Sequence, residues 1–471
     1  MDAAVYGAAL RRSVDRCNEH LKATVLSRYV PALFALVLAP GCAPLPNGDI
    51  TSVRFPAASM PLGVARSNQD LARDFLDLTF QLESGEELRG LLRYEEPVRV
   101  YMKTNGLEAY RQDLETLIER LQREAGLDIA ITHDPTRAQI RVEGVPARRI
   151  NRVFPTAACF IVPGETDWDS FIRHRSEDRL RWSKQDALRG AAVFVPSDTT
   201  PQDVRDCFNE ELTQALGPAN DLYRLPDSVW NDDNFHGIAT SFDMLILRAL
   251  YQPELASGMT RAEVAAELPS ILNRTNPRGR DVARRPSYPE SPEWARAIET
   301  ALSRTAPRSR RSEAAGEAVS LSGAMQPRDH RLGVSLLTQG RLLLRQDPQR
   351  AAERFAQAYR LFQAKVGVSD IRTAQAGIHV AAVALGSREY DLVLRLADLH
   401  EPAARVGQNA ILMAGFTSLR AEALDRLGQS EAATAARLES LRWARYGFGD
   451  SDGDLAREQA RIATLTGMED G

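Results

Sequence analysis

CFNEELTQALGPAND, residues 207–221, predicts a helix that ends near Gly217. Within this stretch, Glu210 and Gln214 lie one helical turn apart, so their side chains project from the same face. Glu211 is the neighbour of Glu210, and Asn220 comes shortly after the glycine. The stretch therefore predicts acidic and amide side chains gathered near one end of a helix.

The spacing is that of a zinc-protease helix, but the histidines of that helix are missing. In the protease pattern, two His residues at i and i+4 hold the metal, and the Glu after the first His is the general base. Aligning Gly217 with the glycine that often ends such a helix puts Glu210 and Gln214 in the two histidine positions. Glu211 then becomes the candidate general base, and Asn220 the candidate third metal ligand.

These three candidate ligands offer only oxygen atoms to a metal. An amide oxygen is a poor zinc ligand, so the set favours a harder divalent ion such as Ca²⁺ or Mn²⁺, or no metal. Without a metal, Glu211 has no polarised water to activate. We therefore expect a degenerate site, although Glu-Glu-x-x-Gln is also common on solvated helices. Among the remaining histidines, His236 is the candidate for a further ligand at this helix.

The composition is that of an ordinary globular protein with room for two or three domains. The chain has 471 residues, of which 44% are hydrophobic and 26% are charged. Its net charge of −4 gives no global basic field, so we expect no nucleic-acid partner. The sequence has no phosphate-binding loop, dinucleotide fingerprint or GxSxG motif.

The N-terminus has the order of a secretory signal. A positive region begins at Arg28, and a short apolar core, PALFALVLA, follows at residues 31–39. Gly41 directly before Cys42 resembles the bacterial lipobox, in which the cysteine is lipidated. We expect a lipoprotein-type signal peptide at residues 1–41, with a misassigned start site explaining its long polar beginning. A cleaved signal without lipid and a buried amphipathic segment are the alternatives.

The cysteines predict one disulfide bond. The chain has Cys17, Cys42, Cys159 and Cys207, without a CxxC pair. In an exported chain, Cys17 is removed with the signal and Cys42 carries the lipid, which leaves Cys159 and Cys207 to pair in an oxidising compartment. Two free buried thiols are the alternative.

The remaining sequence divides into four segments. Residues 42–66 are rich in Pro and Gly and predict a tether, and residues 67–275 predict an α+β domain. In that domain the predicted order is a strand, a long helix, several short strands and then the motif helix. This order is similar to the N-terminal half of the zincin fold, a twisted sheet packed on two helices. Residues 276–327 are rich in Arg, Pro and Ser and predict a linker with one helical stretch near Glu293 to Leu302, and residues 328–462 predict an all-α domain.

The all-α segment predicts three helix pairs. Their breaks fall at Asp347-Pro348, at Gly386 and at Gly428. Small residues at the expected helix crossings resemble those of tetratricopeptide repeats, and three units are about the minimum for a stable stack. A plain helical bundle is the alternative.

The stretch at residues 207–221 also resembles an uncharacterised bacterial envelope family, a domain of unknown function with Glu-Glu-x-x-Gln-x-x-Gly on a zincin-type helix. Matching pieces are SVWNDD at 228–233, LRALY at 247–251 and GMT at 258–260, and together the resemblance covers roughly residues 91–275. It implies a zincin-like fold and supports export, but it supplies no known activity.

Three hypotheses for function follow. The preferred one is an exported, periplasm-facing lipoprotein, held to the membrane at Cys42. Its degenerate zincin-like domain would be a pseudoenzyme, and its helical repeats would bind a protein partner. The second is an exported metal-dependent peptidase-like hydrolase with Glu211 as general base. The third is a cytoplasmic helical-repeat regulator.

Overall fold

A computed structural model describes residues 53–55 and 66–449, except residues 104, 156, 232, 234, 287 and 304. The predicted signal peptide at residues 1–41, the lipidation site Cys42, most of the tether and residues 450–462 lie outside the described part.

The first part of the chain contains a five-stranded sheet with the strand order β2-β1-β3-β5-β4. Neighbouring strands are parallel except β4, which runs antiparallel to β5 at one edge. The strands are β1 (Val98–Lys103), β2 (Ile129–Ile131), β3 (Ile140–Val145), β4 (Phe160–Pro163) and β5 (Ala191–Pro196). The α-helices of this part are α1 (Asn68–Phe80), α2 (Arg111–Arg120), α3 (Ala147–Val153), α4 (Trp168–His174), α5 (Pro201–Gln214), α6 (Ser241–Leu250) and α7 (Arg261–Thr275).

The sheet is covered on both faces, which explains the unbroken apolar run of β5. Side chains alternate across a strand, so Val193 and Val195 face one layer while Ala192 and Phe194 face the other. The first layer is the main core, to which α2 contributes Leu114, Leu117 and Ile118 and α5 contributes Val204, Phe208 and Leu212. The second is a smaller aromatic cluster that contains Trp168 and Phe171 of α4. The sheet therefore packs on the motif helix α5 and on α2 from the same side.

The second part of the chain is all helical, as predicted. Its helices are α8 (Pro292–Leu302), α9 (Arg308–Ala324), α10 (Arg331–Leu343), α11 (Pro348–Lys365), α12 (Ile371–Gly386), α13 (Tyr390–Val406), α14 (Ala410–Arg426) and α15 (Ser430–Phe448). The breaks have local causes. Asp347, Asp370 and Asn409 cap the helices that follow them by accepting hydrogen bonds from free backbone N–H groups, and Pro348 occupies a first-turn position. No helix in the described part of the chain is long and apolar enough to cross a membrane.

Residues 276–327, predicted as a linker with one helical stretch, contain the expected helix α8 and a second packed helix, α9. Trp294 of α8 is buried, its ring contacts the ring of Tyr223 at 5.0 Å, and its Nε1–H donates to Ser335 Oγ at 2.8 Å. In α9, Ala314, Ala315 and Ala318 are buried although the sequence around them is polar. The composition indicated a linker because small residues that allow close helix packing carry little hydrophobic signal.

Glycine at one helix crossing leads to the first prediction. A Cβ atom at Gly377 would lie 2.7 Å from Cδ2 of His400, whose ring is fully buried and hydrogen-bonded to Tyr359. We expect Gly377→Ala to lower the free energy of unfolding by about 1–3 kcal/mol, because this ring has no free space to move into. Chemical denaturation measures the change. The matched variant is Gly316→Ala, in helix α9, where the nearest atom is 3.8 Å from the added carbon. The free energy of unfolding of Gly316→Ala should rise by about 0.5–1 kcal/mol, because Ala has a higher helix propensity than Gly. Equal effects of the two substitutions would contradict the prediction.

Candidate functional site

The motif helix α5 begins and ends at local signals. Thr200 caps it by accepting a hydrogen bond from the backbone N–H of Asp203, and Pro201 opens its first turn. At the other end Gly217 has a φ of 140°, and a Cβ atom there would lie 2.7 Å from the carbonyl oxygen of Leu92. Glycine is required at this position because the chain passes so close to another backbone segment.

The predicted disulfide bond is confirmed. Cys207 of α5 is bonded to Cys159, which lies directly before the edge strand β4, 48 residues earlier in the chain. The bond therefore ties the motif helix to the antiparallel edge of the sheet.

The amide side chains of the candidate metal site bind protein groups. Gln214 Nε2 donates to Asp221 Oδ2 at 2.7 Å, and Asn220 Nδ2 donates to the backbone oxygen of Asp77 in α1 at 2.9 Å. Glu211 is 7% exposed, whereas Glu210 is partly exposed, and both have partners in the protein.

These contacts hold the two amide groups through their nitrogen atoms, whereas a metal ion would bind their oxygen atoms. Two of the three candidate ligands use their amides in separate hydrogen bonds, one to a side chain and one to the backbone of another helix. Within the described part of the chain, no three His, Cys, Asp or Glu side chains are grouped so that they could hold a metal ion. The predicted metal site at Glu210, Gln214 and Asn220 stays a prediction, as does Glu211 as general base.

His236 lies in a different group of residues from the one expected. Its Nε2 lies 2.9 Å from the carbonyl oxygen of Pro226 and 3.0 Å from Nη1 of Arg372, at the junction with the helical part. Burial lowers the pKa of His236 to about 4, and the nearby positive charge of Arg372 adds to the shift, so its ring is neutral at pH 7.

A second polar face of α5 joins the sheet-containing part to other elements. Asn209 Oδ1 accepts from the backbone N–H of Ala239 at 3.1 Å, and Thr213 Oγ1 accepts from Trp230 Nε1 at 2.9 Å. Both partners belong to the long loop between α5 and α6.

The first turns of α5 contact the C-terminal helices. Gln202 Oε1 accepts a hydrogen bond at 3.1 Å from the backbone N–H of Ala410, the first residue of α14. Arg205 donates to the carbonyl oxygen of Tyr446 at 2.7 Å, and its guanidinium lies 3.9 Å from the centre of that residue's ring. The motif helix is thus a junction between the sheet, the loop and the helical part.

A buried ion pair reinforces this junction. Arg372, at the start of α12, donates through Nε and Nη2 to Asp233 Oδ2 at 3.1 and 2.8 Å, and both side chains are almost fully buried. Nη1 of the same guanidinium donates to the carbonyl oxygen of Pro226. A charged pair with this many hydrogen bonds holds two chain segments in one relative position.

A polar cavity of about 360 Å³ lies beside this ion pair, between the two parts of the chain. Five basic and five acidic side chains line it, and they are largely paired with one another. Arg66 contacts both Asp74 and Asp227, while Arg224 contacts Asp74 and also Asp77. Because the charges balance, the cluster links elements of the fold and has no excess charge for a ligand.

One further group contains the side-chain types of a hydrolytic triad but lacks the geometry. Ser170 Oγ and Glu165 Oε1 both lie 3.2 Å from the same nitrogen, Nδ1 of His174. A triad needs the acid and the nucleophile at opposite ring nitrogens. Glu165 also accepts from Arg179 at 2.8 Å, so the group is an anchor for the loop before α4.

The pKa of Asp206, on α5, leads to the second prediction. Burial raises this pKa from 3.8 to about 7, although Gln202 donates to the carboxyl group at 2.7 Å. The folded state therefore keeps a proton that the unfolded state loses above pH 3.8. The resulting stability is fully present below that pH and is lost as pH rises through 7.

Asp206→Asn removes this titration. We expect the stability of the variant relative to the wild type to rise by about 2–4 kcal/mol between pH 4 and pH 8. Urea denaturation at several pH values measures the difference. A difference that does not change with pH would contradict the prediction.

The ion pair of Arg372 and Asp233 was not predicted from the sequence. One signal was available, since Arg372 opens a helix, IRTAQAGIHVAAVALG, that contains no other residue with a permanent charge. Its partner lies within the SVWNDD piece, 139 residues earlier. Nothing in either segment indicates the other.

One comparison with known proteins gives a result. The family described as "Protein of unknown function (DUF2927)" matches residues 68–270, the segment from helix α1 into helix α7. No curated protein and no solved structure matches the chain. Residues 68–270, which hold the sheet, the disulfide bond and the motif helix, are therefore the part of the chain that is similar to the family described as protein of unknown function (DUF2927).

Proposed function

We propose that the chain is an exported, lipid-anchored envelope protein that faces the periplasm. A degenerate zincin-like domain serves as its scaffold, and the C-terminal helices, as tetratricopeptide-like repeats, bind a protein partner. The observation that carries the proposal is the position of helix α5. It is bonded to the sheet edge through Cys207, to the loop through Asn209 and to the helical part through Arg205.

The zincin-like assignment is supported by the order and packing of the elements. A strand, a long helix, further strands and then the motif helix follow one another as the resemblance implies. Helices α2 and α5 contribute to the core on the same face of the sheet. A degenerate site is supported by the ligand types, because oxygen atoms of Glu210, Gln214 and Asn220 replace the nitrogen donors that zinc prefers.

Export is supported by the disulfide bond between Cys159 and Cys207. Such bonds form and persist in oxidising compartments and are rare in the cytoplasm. The signal-like residues before Cys42 suggest the same compartment.

The partner-binding role is supported by the helical array. Consecutive helices in it pack as neighbours, and glycine allows close crossings, as where Gly340 faces the ring of Phe355. Stacks of paired helices present extended surfaces that suit peptides and helices of other proteins.

Export and anchoring can be tested in a bacterial host that makes the full chain. We expect the wild type to be processed, to label with fatty acid and to sediment with membranes. Cys42→Ala should lose the label and leave the membrane fraction. A full-length, unlabelled chain that remains in the cytoplasm would overturn the proposal in favour of the cytoplasmic regulator.

The loss of enzyme activity is tested on protein purified without chelator. We expect no stoichiometric divalent metal and the same peptidase background in the wild type and in Glu211→Gln, an isosteric change. Peptide cleavage that requires Glu211 would instead establish the metal-dependent hydrolase.

Partner binding is tested by photo-crosslinking in cells from exposed positions of the helical part. Val406, which is 60% exposed, and the exposed Arg395 are suitable sites. We expect at least one discrete protein adduct. Absence of adducts from every exposed face of the helices would refute the partner-binding role.

A further inference from the structure

A groove of about 550 Å³ runs between helices α9, α10 and α11 on the surface of the helical part. Its floor is apolar, because one side chain of α9, two of α10 and one of α11 turn toward it. These side chains are Val319, Leu332, Leu336 and Leu361. An apolar recess between helices is the kind of surface that holds the apolar face of another segment.

The groove is also positively charged. Arg328, Arg354 and Arg360 line it together with the apolar floor, and no carboxylate does. Arg328 donates to the carbonyl oxygen of Gly323, and Arg354 donates to the side chain of Gln357. Across the described part of the chain, none of these three arginines has an ion pair with an acidic side chain.

The groove differs in this respect from the junction between the two parts of the chain. Arginines at the junction of the two parts are paired with acidic groups, as Arg66, Arg224 and Arg372 show. The whole chain carries a net charge of −4, so the positive charge of the groove is opposite in sign to the net charge of the chain. Unpaired guanidinium groups beside an apolar floor select for carboxylates, which they bind through two parallel hydrogen bonds.

The dimensions of the groove indicate how long a bound segment would be. On α11, Arg354, Gln357, Leu361 and Ala364 lie at helical spacing along one side of the groove. Ten residues of helix extend about 15 Å. A segment of roughly ten residues in helical form has the same length.

We propose that this groove binds an acidic amphipathic helical segment of a partner protein. Apolar side chains of the segment would enter between α10 and α11, and Glu or Asp at its flanks would meet Arg354, Arg360 and Arg328. The proposal rests on the proposed partner-binding function of the helices and names the surface and the chemistry of the partner.

The test uses the full chain and three labelled synthetic peptides of equal length. The first places Leu on one helical face with Glu at the flanks, the second replaces every Glu with Lys, and the third scrambles the first. We expect the first peptide to bind about tenfold or more tightly than either of the others, as measured by fluorescence anisotropy.

Charge reversal identifies the surface. Arg354→Glu combined with Arg360→Glu should weaken binding of the acidic peptide by about tenfold or more. The matched control is Arg350→Glu combined with Arg395→Glu, which changes the net charge equally at exposed positions outside the groove. The control should bind as the wild type does, and circular dichroism checks that both double variants are folded.

Three results would overturn the proposal: no preference for the acidic amphipathic peptide, equal binding by the two double variants, or binding of vesicles of anionic lipid in preference to the peptide. The last result would assign the arginines to a membrane surface. Protein adducts from Arg395 or Val406, without peptide binding in the groove, would leave the proposed function standing while refuting this site. Absence of adducts from all faces would refute the function itself.

Discussion

Arg372→Met is expected to lower the free energy of unfolding by about 3–5 kcal/mol. Arg372 is fully buried and provides two hydrogen bonds to Asp233, whose carboxylate is itself buried. Without the guanidinium, Asp233 keeps a negative charge that neither water nor another cation of comparable geometry can stabilise. Guanidinium denaturation followed by circular dichroism measures the loss.

The double variant Asp233→Asn with Arg372→Met distinguishes the cost of leaving Asp233 charged and unpaired from the cost of losing the packing of Arg372. Asn at position 233 is neutral and retains an oxygen to accept the backbone N–H of Phe235, which Asp233 Oδ1 now binds at 3.2 Å. We expect the double variant to be more stable than Arg372→Met alone, because no uncompensated charge remains. If the double variant were as unstable as the single one, packing or the hydrogen bond to Pro226 would account for the loss.

Removal of the disulfide bond by Cys159→Ala and Cys207→Ala is expected to cost about 4 kcal/mol. The bond closes a loop with a sequence separation of 48, and a closed loop of this length restricts the unfolded chain strongly. The loop contains the residues of β4, α4 and β5. Without the bond, all of these residues gain conformational freedom in the unfolded state. Urea denaturation of the oxidised wild type and of the variant provides the difference.

Reduced wild-type protein is the control for this measurement. It retains both cysteine side chains, so its stability should fall close to that of the double alanine variant if the covalent bond is the cause. Equal stability of the oxidised and reduced wild type would contradict the prediction.

Several parts of the fold could be predicted because their causes are local. The helix break at residues 347–348 depends on the capping side chain of Asp347 and on Pro348, and the breaks at 386 and 428 fall at glycines. The strands in the first part were predicted from short apolar runs, and the cysteine pair followed from the small number of cysteines. The helix α9 within residues 276–327 was not predicted, because Ala314 and Ala318 pack closely but add little to the hydrophobic pattern of the sequence.

The arrangement around α5 depended on contacts that the sequence does not indicate. Glu210, Gln214 and Asn220 have the spacing of a ligand set. Whether their amides face a common ion or separate protein groups depends on Asp221 and on the backbone of α1, 143 residues before Asn220.

Local sequence therefore determined most of the helices and strands and the boundary between a mixed part and an all-helical part. Capping, turn formation and apolar periodicity act over a few residues, and each leaves a pattern that can be recognised. Only the tertiary structure showed that α5 is a junction, that Arg372 pairs with Asp233 and that an apolar groove is bordered by three arginines without acidic partners among the described residues. The residues in these contacts are distant in sequence. Which of them meet depends on how whole helices and strands pack, and no local sequence pattern indicates that packing.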